Sequence, residues 1–186
     1  MASYIVLGLI AAVVLYCMVA YNRLVRSKNL SAEAWSGIDV QLRRRADLIP
    51  NLVATVQAYA VHERGVFEQV TRARAATLGA ANINSHTAAA GSMRAALTNL
   101  FAVAEAYPKL KADANFCQLA TGLASIEDDI QFARRYYNGA TRNFNILVES
   151  FPSNLIAGFF RFKKVEYFNI GDEAARNVPK VSLGPA

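Results

Sequence analysis

The chain has 186 residues, of which 54% are hydrophobic and 18% charged, and it carries a net charge of +6. A chain this apolar has ample surface to bury, which excludes intrinsic disorder, and two cysteines and five prolines exclude a disulfide scaffold or a proline-rich linker. The positive balance points to an anionic partner, either nucleic acid or a membrane, and the first 22 residues carry none of the charged side chains.

Residues 4–21 read YIVLGLIAAVVLYCMVAY. As a helix at about 1.5 Å per residue they span roughly 27 Å, close to the hydrocarbon thickness of a bilayer. A cleaved signal peptide needs a basic start and a small-x-small site. Met1 to Ser3 hold no Lys or Arg, and Met18-Val19-Ala20 is a poor site. Tyr16 before Cys17 disfavours a lipoprotein signal. Residues 1–22 are therefore expected to be a retained single-pass transmembrane anchor. Tyr4, Tyr16 and Tyr21 suit the interfaces, and Gly8 with Ala12 form one small-xxx-small pair. Arg23, Arg26 and Lys28 follow in a basic juxtamembrane segment, residues 23–30, placed to meet anionic headgroups. With no charge before the span, this bias puts the following domain in the cytoplasm and the N-terminus outside.

From residue 31 onward no convincing strand pattern occurs, and the expected fold class is all-α: an antiparallel bundle over residues 31–170. Trp35, Ile38, Leu42, Ile49, Leu52, Val56, Tyr59, Val66 and Val70 keep 3-4 spacing, with Arg45 and Glu63 breaking the apolar seam. Ser31 is the expected N-cap. Pro50 should kink this helix, which otherwise continues to about residue 79. Residues 80–91 are small and polar, the expected loop into a second helix faced by Met93, Leu97, Leu100 and Tyr107, which Pro108 ends. A third helix carries an unbroken heptad from Phe116 through Leu123, Ile130, Tyr137 and Phe144 to Phe151, with Asn115 as N-cap and Pro152 as stop.

Three helices of unequal length leave part of the first uncovered, which motivates self-association into a homo-oligomer. An up-down-up path would also end the third helix far from the bilayer.

The search for chemistry yields no catalytic, metal or cofactor site. His62-Glu63-Arg64-Gly65-Val66 lacks the second histidine of H-E-x-x-H. Glu127, Asp128 and Asp129 diverge around a helix and read as a solvated face. Arg43-Arg44-Arg45 is too short and lacks the interleaved aromatics of a nucleic-acid stripe; Arg45 is expected to be buried beside a carboxylate. Neither a nucleic-acid partner nor a small-molecule substrate is expected.

One segment is too apolar for a solvated tail. After Pro152 the chain reads SNLIAGFFRFKKVEYF, a short C-terminal helix that either folds onto the bundle or docks a partner through Phe151, Pro152, Asn154, Leu155, Phe159 and Phe160. Membrane contact, helped by Arg161, Lys163 and Lys164, is the third possibility. Residues 171–186 are expected to be a loose tail.

Several stretches are shared with a known family: Tyr21-Asn22-Arg23-Leu24-Val25, Glu33-Ala34-Trp35, Asp39-Val40-Gln41-Leu42, Arg45-Ala46-Asp47-Leu48-Ile49-Pro50-Asn51-Leu52 and His62-Glu63-Arg64. Ala104-Glu105-Ala106-Tyr107-Pro108, Phe132-Ala133-Arg134-Arg135-Tyr136-Tyr137-Asn138 and Phe151-Pro152-Ser153-Asn154-Leu155-Ile156-Ala157-Gly158 complete the set. With these residues, in this order, the chain resembles the LemA family of bacterial membrane proteins. The resemblance implies an N-terminal anchor, a long helical bundle and no established enzymatic activity. It also implies association with magnetosome membranes in some relatives, and genes encoded near those of membrane peptidases in others. The expected protein is a scaffold or adaptor of the bacterial inner membrane. Its expected partners are the lipid bilayer, a second copy of itself and a membrane protein such as a membrane peptidase. An oligomer that organises or remodels membranes is the alternative.

Overall fold

The computed structural model describes residues 1–169, and every regular element in that range is helical. The elements are α1 (Ala2–Gln57), α2 (Arg64–Leu78), α3 (Ile83–Glu105), α4 (Pro108–Lys111), α5 (Ala114–Glu149) and α6 (Ser153–Phe159). The expected tail lies outside the described residues.

Several boundaries differ from those expected. The apolar span and the first domain helix are one helix, so Ser31 sits mid-helix and is not an N-cap. Helix α1 runs through Pro50 and stops at Gln57, and residues 58–63 separate it from α2. Residues 83–91 are helical too: Asn82 caps α3, its side chain accepting from the Ser85 N–H while Ser85 bonds back to Asn82, a closed capping box. At α5 the cap is Asp113 and not Asn115, because the Asp113 carboxylate accepts the Phe116 N–H at 2.9 Å.

The chain forms two compact units. The first comprises Met1–Arg45 and Leu123–Tyr167. Buried positions in α1 recur at Ala20, Leu24, Ser31, Ala34, Ile38, Leu42 and Arg45, and those in α5 at Leu123, Ile126, Ile130, Tyr137, Ala140 and Phe144. Both sets follow the 3-4 spacing that lines one helix face. Ser31 bonds Thr141 at 2.8 Å, Trp35 packs on Tyr137 at 5.4 Å, and Arg45 meets Glu127 at 2.9 Å. Partners advance in α1 as they retreat in α5, so the two helices are antiparallel.

After α5 the chain turns at Phe151-Pro152, a cis peptide, into α6. That helix ends in a Schellman motif: the Phe162 N–H bonds the Ala157 carbonyl and the Arg161 N–H that of Gly158, with Arg161 in the left-handed region at φ 58°. Phe162 packs against the core cluster that includes Ala157, in keeping with the apolar contact such motifs favour. Residues 162–167 then run as a strap without regular secondary structure. The Asn145 amide clasps it from both sides, accepting the Val165 N–H and donating to the Val165 carbonyl, each at 2.9 Å. The Tyr137 hydroxyl donates to the Glu166 carbonyl at 2.7 Å; burial pushes its pKa up.

The second unit is built on Ala46–Gly122. Its core draws on Ala46, Ile49, Leu52 and Val56 of α1, Phe67, Val70, Ala73 and Thr77 of α2, and Ala89, Met93, Ala96 and Leu100 of α3. Val66, expected on the seam, is half-buried and Phe67 takes the core position. The Arg74 guanidinium donates to the Ala46 carbonyl at 2.9 Å, the acceptor that Pro50, lacking an N–H, leaves empty.

Candidate functional site: the membrane-proximal end of the first unit

Residues 2–19 show what the apolar run does with its surface. An 18-residue window of α1 has a mean hydropathy of 2.4, and none of it is buried. Tyr4, Gly8, Ala12 and Tyr16 are all exposed, and a side chain added at Gly8 would meet nothing within 4 Å. Such a face in water would cost far more than a bilayer would. The chain is accordingly a membrane protein, with one candidate spanning helix among the described residues.

Packing begins at Ala20, on the last turn of the span. Leu24, Phe144 and Ala157 form a small core there, flanked by Leu147, Val148, Ile156, Phe162 and Val165. The Tyr21 ring lies 4.6 Å from Phe160 and 5.9 Å from Phe162, and the Lys28 ammonium sits 5.9 Å from the Phe162 ring centre. The structure thus joins two sets of residues that are far apart in sequence: the Tyr21 to Lys28 collar and the segment after Pro152.

This corrects the expectation that the returning helix ends far from the bilayer. Three helices joined by two reversals run the last parallel to the first. The break at residues 58–63 adds a helix and a reversal, so α5 comes back toward the span.

The basic residues divide by task. Arg23 and Arg26, one turn apart, line a groove of about 470 Å³ with Ser27, Leu30, Asn143, Ile146 and Leu147. Lys28 faces the aromatic strap. Lys164 donates to Glu149 at 2.6 Å, and that hydrogen bond to the carboxylate holds the ammonium above its usual pKa. At the corner, Phe151, Leu155 and Phe159 are 79%, 62% and 81% exposed. Pro152 is exposed as well, Phe160 turns toward Tyr21, and Asn154 is half-buried with its N–H on the Ser150 carbonyl.

Elsewhere the charged residues serve the fold. Arg45, its side chain 2% exposed, is held by Glu127 of α5. Arg44 lies 3.6 Å from Asp129, and Arg43 bonds Asp39. His62 and Glu63 lie in the turn before α2, and His86 is buried on α3. Among the described residues, no three His, Cys, Asp or Glu side chains cluster as metal ligands would. Sequence reasoning missed Asn145 and Thr141. Both stand one position after the seam residues Phe144 and Ala140, and polar residues at such half-core positions were the available signal.

The sequence profile described as the LemA family matches residues 34–183. Magnetosome protein MamQ 2 of Paramagnetospirillum magneticum is 27% identical over 185 residues, covering 86% of this chain and 68% of that protein. Magnetosome protein MamQ of Magnetospirillum gryphiswaldense is 26% identical, covering 91% and 71%. Protein LemA of Metamycoplasma hominis is 25% identical, covering 87% and 72%. With the profile matching most of its length, the chain belongs to the LemA family.

Proposed function

We propose that the chain is a single-pass, membrane-anchored helical scaffold that acts through protein–protein contact. One observation carries this reading: the span and the packed stripe of the first unit share a single helix, with no linker at the membrane boundary. A partner held by that unit is thereby held at a fixed height above the bilayer. Phe132 and Tyr136, 66% and 50% exposed and one turn apart on α5, offer apolar contact area of the kind partners use. The charge bias of Arg23, Arg26 and Lys28 supports an inner-membrane setting with the N-terminus outside and the bundle in the cytoplasm. The partners proposed are a second copy of this chain and a membrane protein such as a membrane peptidase. No catalytic step is assigned.

Crosslinking with mass spectrometry in native membranes tests the proposal. The expected result is a defined set of crosslinks from α5 to one partner or to a second copy. Loss of all intermolecular crosslinks would overturn it. The second reading, an oligomer that organises the bilayer, draws on the unpartnered Gly8 and Ala12 face; tubulation of vesicles by the purified protein would favour it.

A further inference from the structure

The corner between α5 and α6 is apolar where it has no protein to cover it. Ile156, Ala157 and Phe160 turn inward toward Leu24 and Tyr21. Leu155 and Phe159, one turn apart, turn outward, and Phe151 stands exposed at the start of the turn. An exposed cluster of large apolar side chains marks a surface that meets another protein or lipid.

Its height follows from the helix register. Residue 31 pairs with 141, 35 with 137, and 45 with 127. Continued in step, that register brings Phe151 level with Tyr21, and the 4.6 Å contact of Tyr21 with Phe160 fixes the end of α6 at the same height. Tyr21 closes the apolar span. The exposed aromatics therefore lie where the span meets the headgroups. The charge there is complementary to anionic lipid: Arg161 and Lys163 are exposed just beyond α6, and Arg23 and Arg26 flank the same level of α1.

We propose that the α5–α6 corner is a second membrane contact, in which Phe151, Leu155 and Phe159 enter the headgroup boundary of an anionic bilayer while Arg161 and Lys163 meet lipid phosphates. The occupant is lipid because the surface is continuous with the spanning helix at the depth where the bilayer begins, and aromatic rings favour that boundary. Two contacts on one bilayer, the span and the corner, fix the tilt and rotation of the first unit as well as its height. The proposal rests on the reading of α1 as a membrane span.

Tryptophan quenching by brominated lipids in phosphatidylcholine–phosphatidylglycerol vesicles tests it. The full chain carries one tryptophan, Trp35, which Trp35→Phe removes. Single probes are then placed by Phe159→Trp and Leu155→Trp at the corner, Leu9→Trp in the span and Phe132→Trp on the bundle. Quenching at Phe159→Trp and Leu155→Trp by lipids brominated near the headgroup is expected to exceed that at Phe132→Trp several-fold. Quenching at Leu9→Trp with none at either corner probe would overturn the inference and leave the span intact. No quenching at Leu9→Trp would overturn both. Adding Lys163→Glu is expected to weaken quenching at the corner but not at Leu9→Trp; equal quenching would overturn the headgroup contact.

Discussion

Arg74 of α2 donates its Nε–H to the carbonyl of Ala46, 2.9 Å away, the acceptor that the helix would have served from position 50 had that residue not been proline. A proline inside a helix removes one bond and crowds the carbonyl four residues back. Here a neighbouring helix supplies the missing donor, and α1 runs on to Gln57. Arg74 and Pro50 are thus coupled although they lie on different helices. Arg74→Met is expected to lower stability by about 1–3 kcal/mol, the cost of a part-buried acceptor left unpaired. In a Pro50→Ala background the same substitution should cost clearly less, since alanine brings its own N–H to that position. Equal losses in the two backgrounds, measured by urea unfolding in detergent, would show that Arg74 acts elsewhere.

The ion pair of Arg45 and Glu127 joins α1 to α5 at 2.9 Å. Arg45 is buried and Glu127 about one-third open to water, so the carboxylate neutralises a charge that water reaches poorly. Glu127→Ala should cost about 2–3 kcal/mol, at the upper end for a charged hydrogen bond and below the loss of a wholly buried pair. Arg45→Met with Glu127→Met, two apolar side chains filling the same space, should recover most of that loss. A double variant no more stable than Glu127→Ala would count against burial as the cause.

These two pairs mark what was legible in the sequence and what was not. The α5 heptad was readable because apolar residues repeat from Phe116 to Phe144 without a polar exception, and Arg45 on an apolar seam already demanded a carboxylate. The identity of that carboxylate was not readable, because it depends on the register between distant helices. The break at residues 58–63 was hidden for a different reason. No glycine or proline marks it, and the buried positions Val56, Ala60, Phe67 and Val70 keep heptad phase across it. Tertiary contacts stop the helix there: Ala60 is fully buried, and the Tyr59 hydroxyl donates to Asp113. Since that reversal sets the direction of α5, the membrane-level corner was hidden with it, although the apolar character of each of its residues is plain in the sequence.

Ser31 and Thr141 share a buried hydrogen bond at 2.8 Å between hydroxyls 110 residues apart in sequence. Ser31→Ala alone removes one partner of the Thr141 hydroxyl, which keeps a side-chain hydrogen bond with Tyr137, and should cost about 1 kcal/mol. Ser31→Ala with Thr141→Val removes both polar groups and should sit close to the wild type, giving a coupling energy of order 1 kcal/mol in a double-mutant cycle. Strict additivity would show that water replaces the lost partner.

Asp113 carries the last prediction, which is one of pH. Its carboxylate accepts the Phe116 N–H at the start of α5 and the Tyr59 hydroxyl at 3.0 Å. The backbone bond first, and the tyrosine second, hold its pKa below the ordinary value; the same contact raises that of Tyr59. A carboxyl with a lowered folded pKa binds its proton less tightly folded than unfolded. Its contribution is therefore complete above the unfolded pKa, near about 4, and is lost as pH falls through the lower folded value. Asparagine remains a good N-cap, so Asp113→Asn should fold while removing only the charge. The melting temperature of the wild type should exceed that of Asp113→Asn at about pH 6, and the gap should close progressively below about pH 4. A gap that stayed constant down to about pH 2 would mean that the charge of Asp113 contributes nothing, and that the cap works through hydrogen-bond geometry alone.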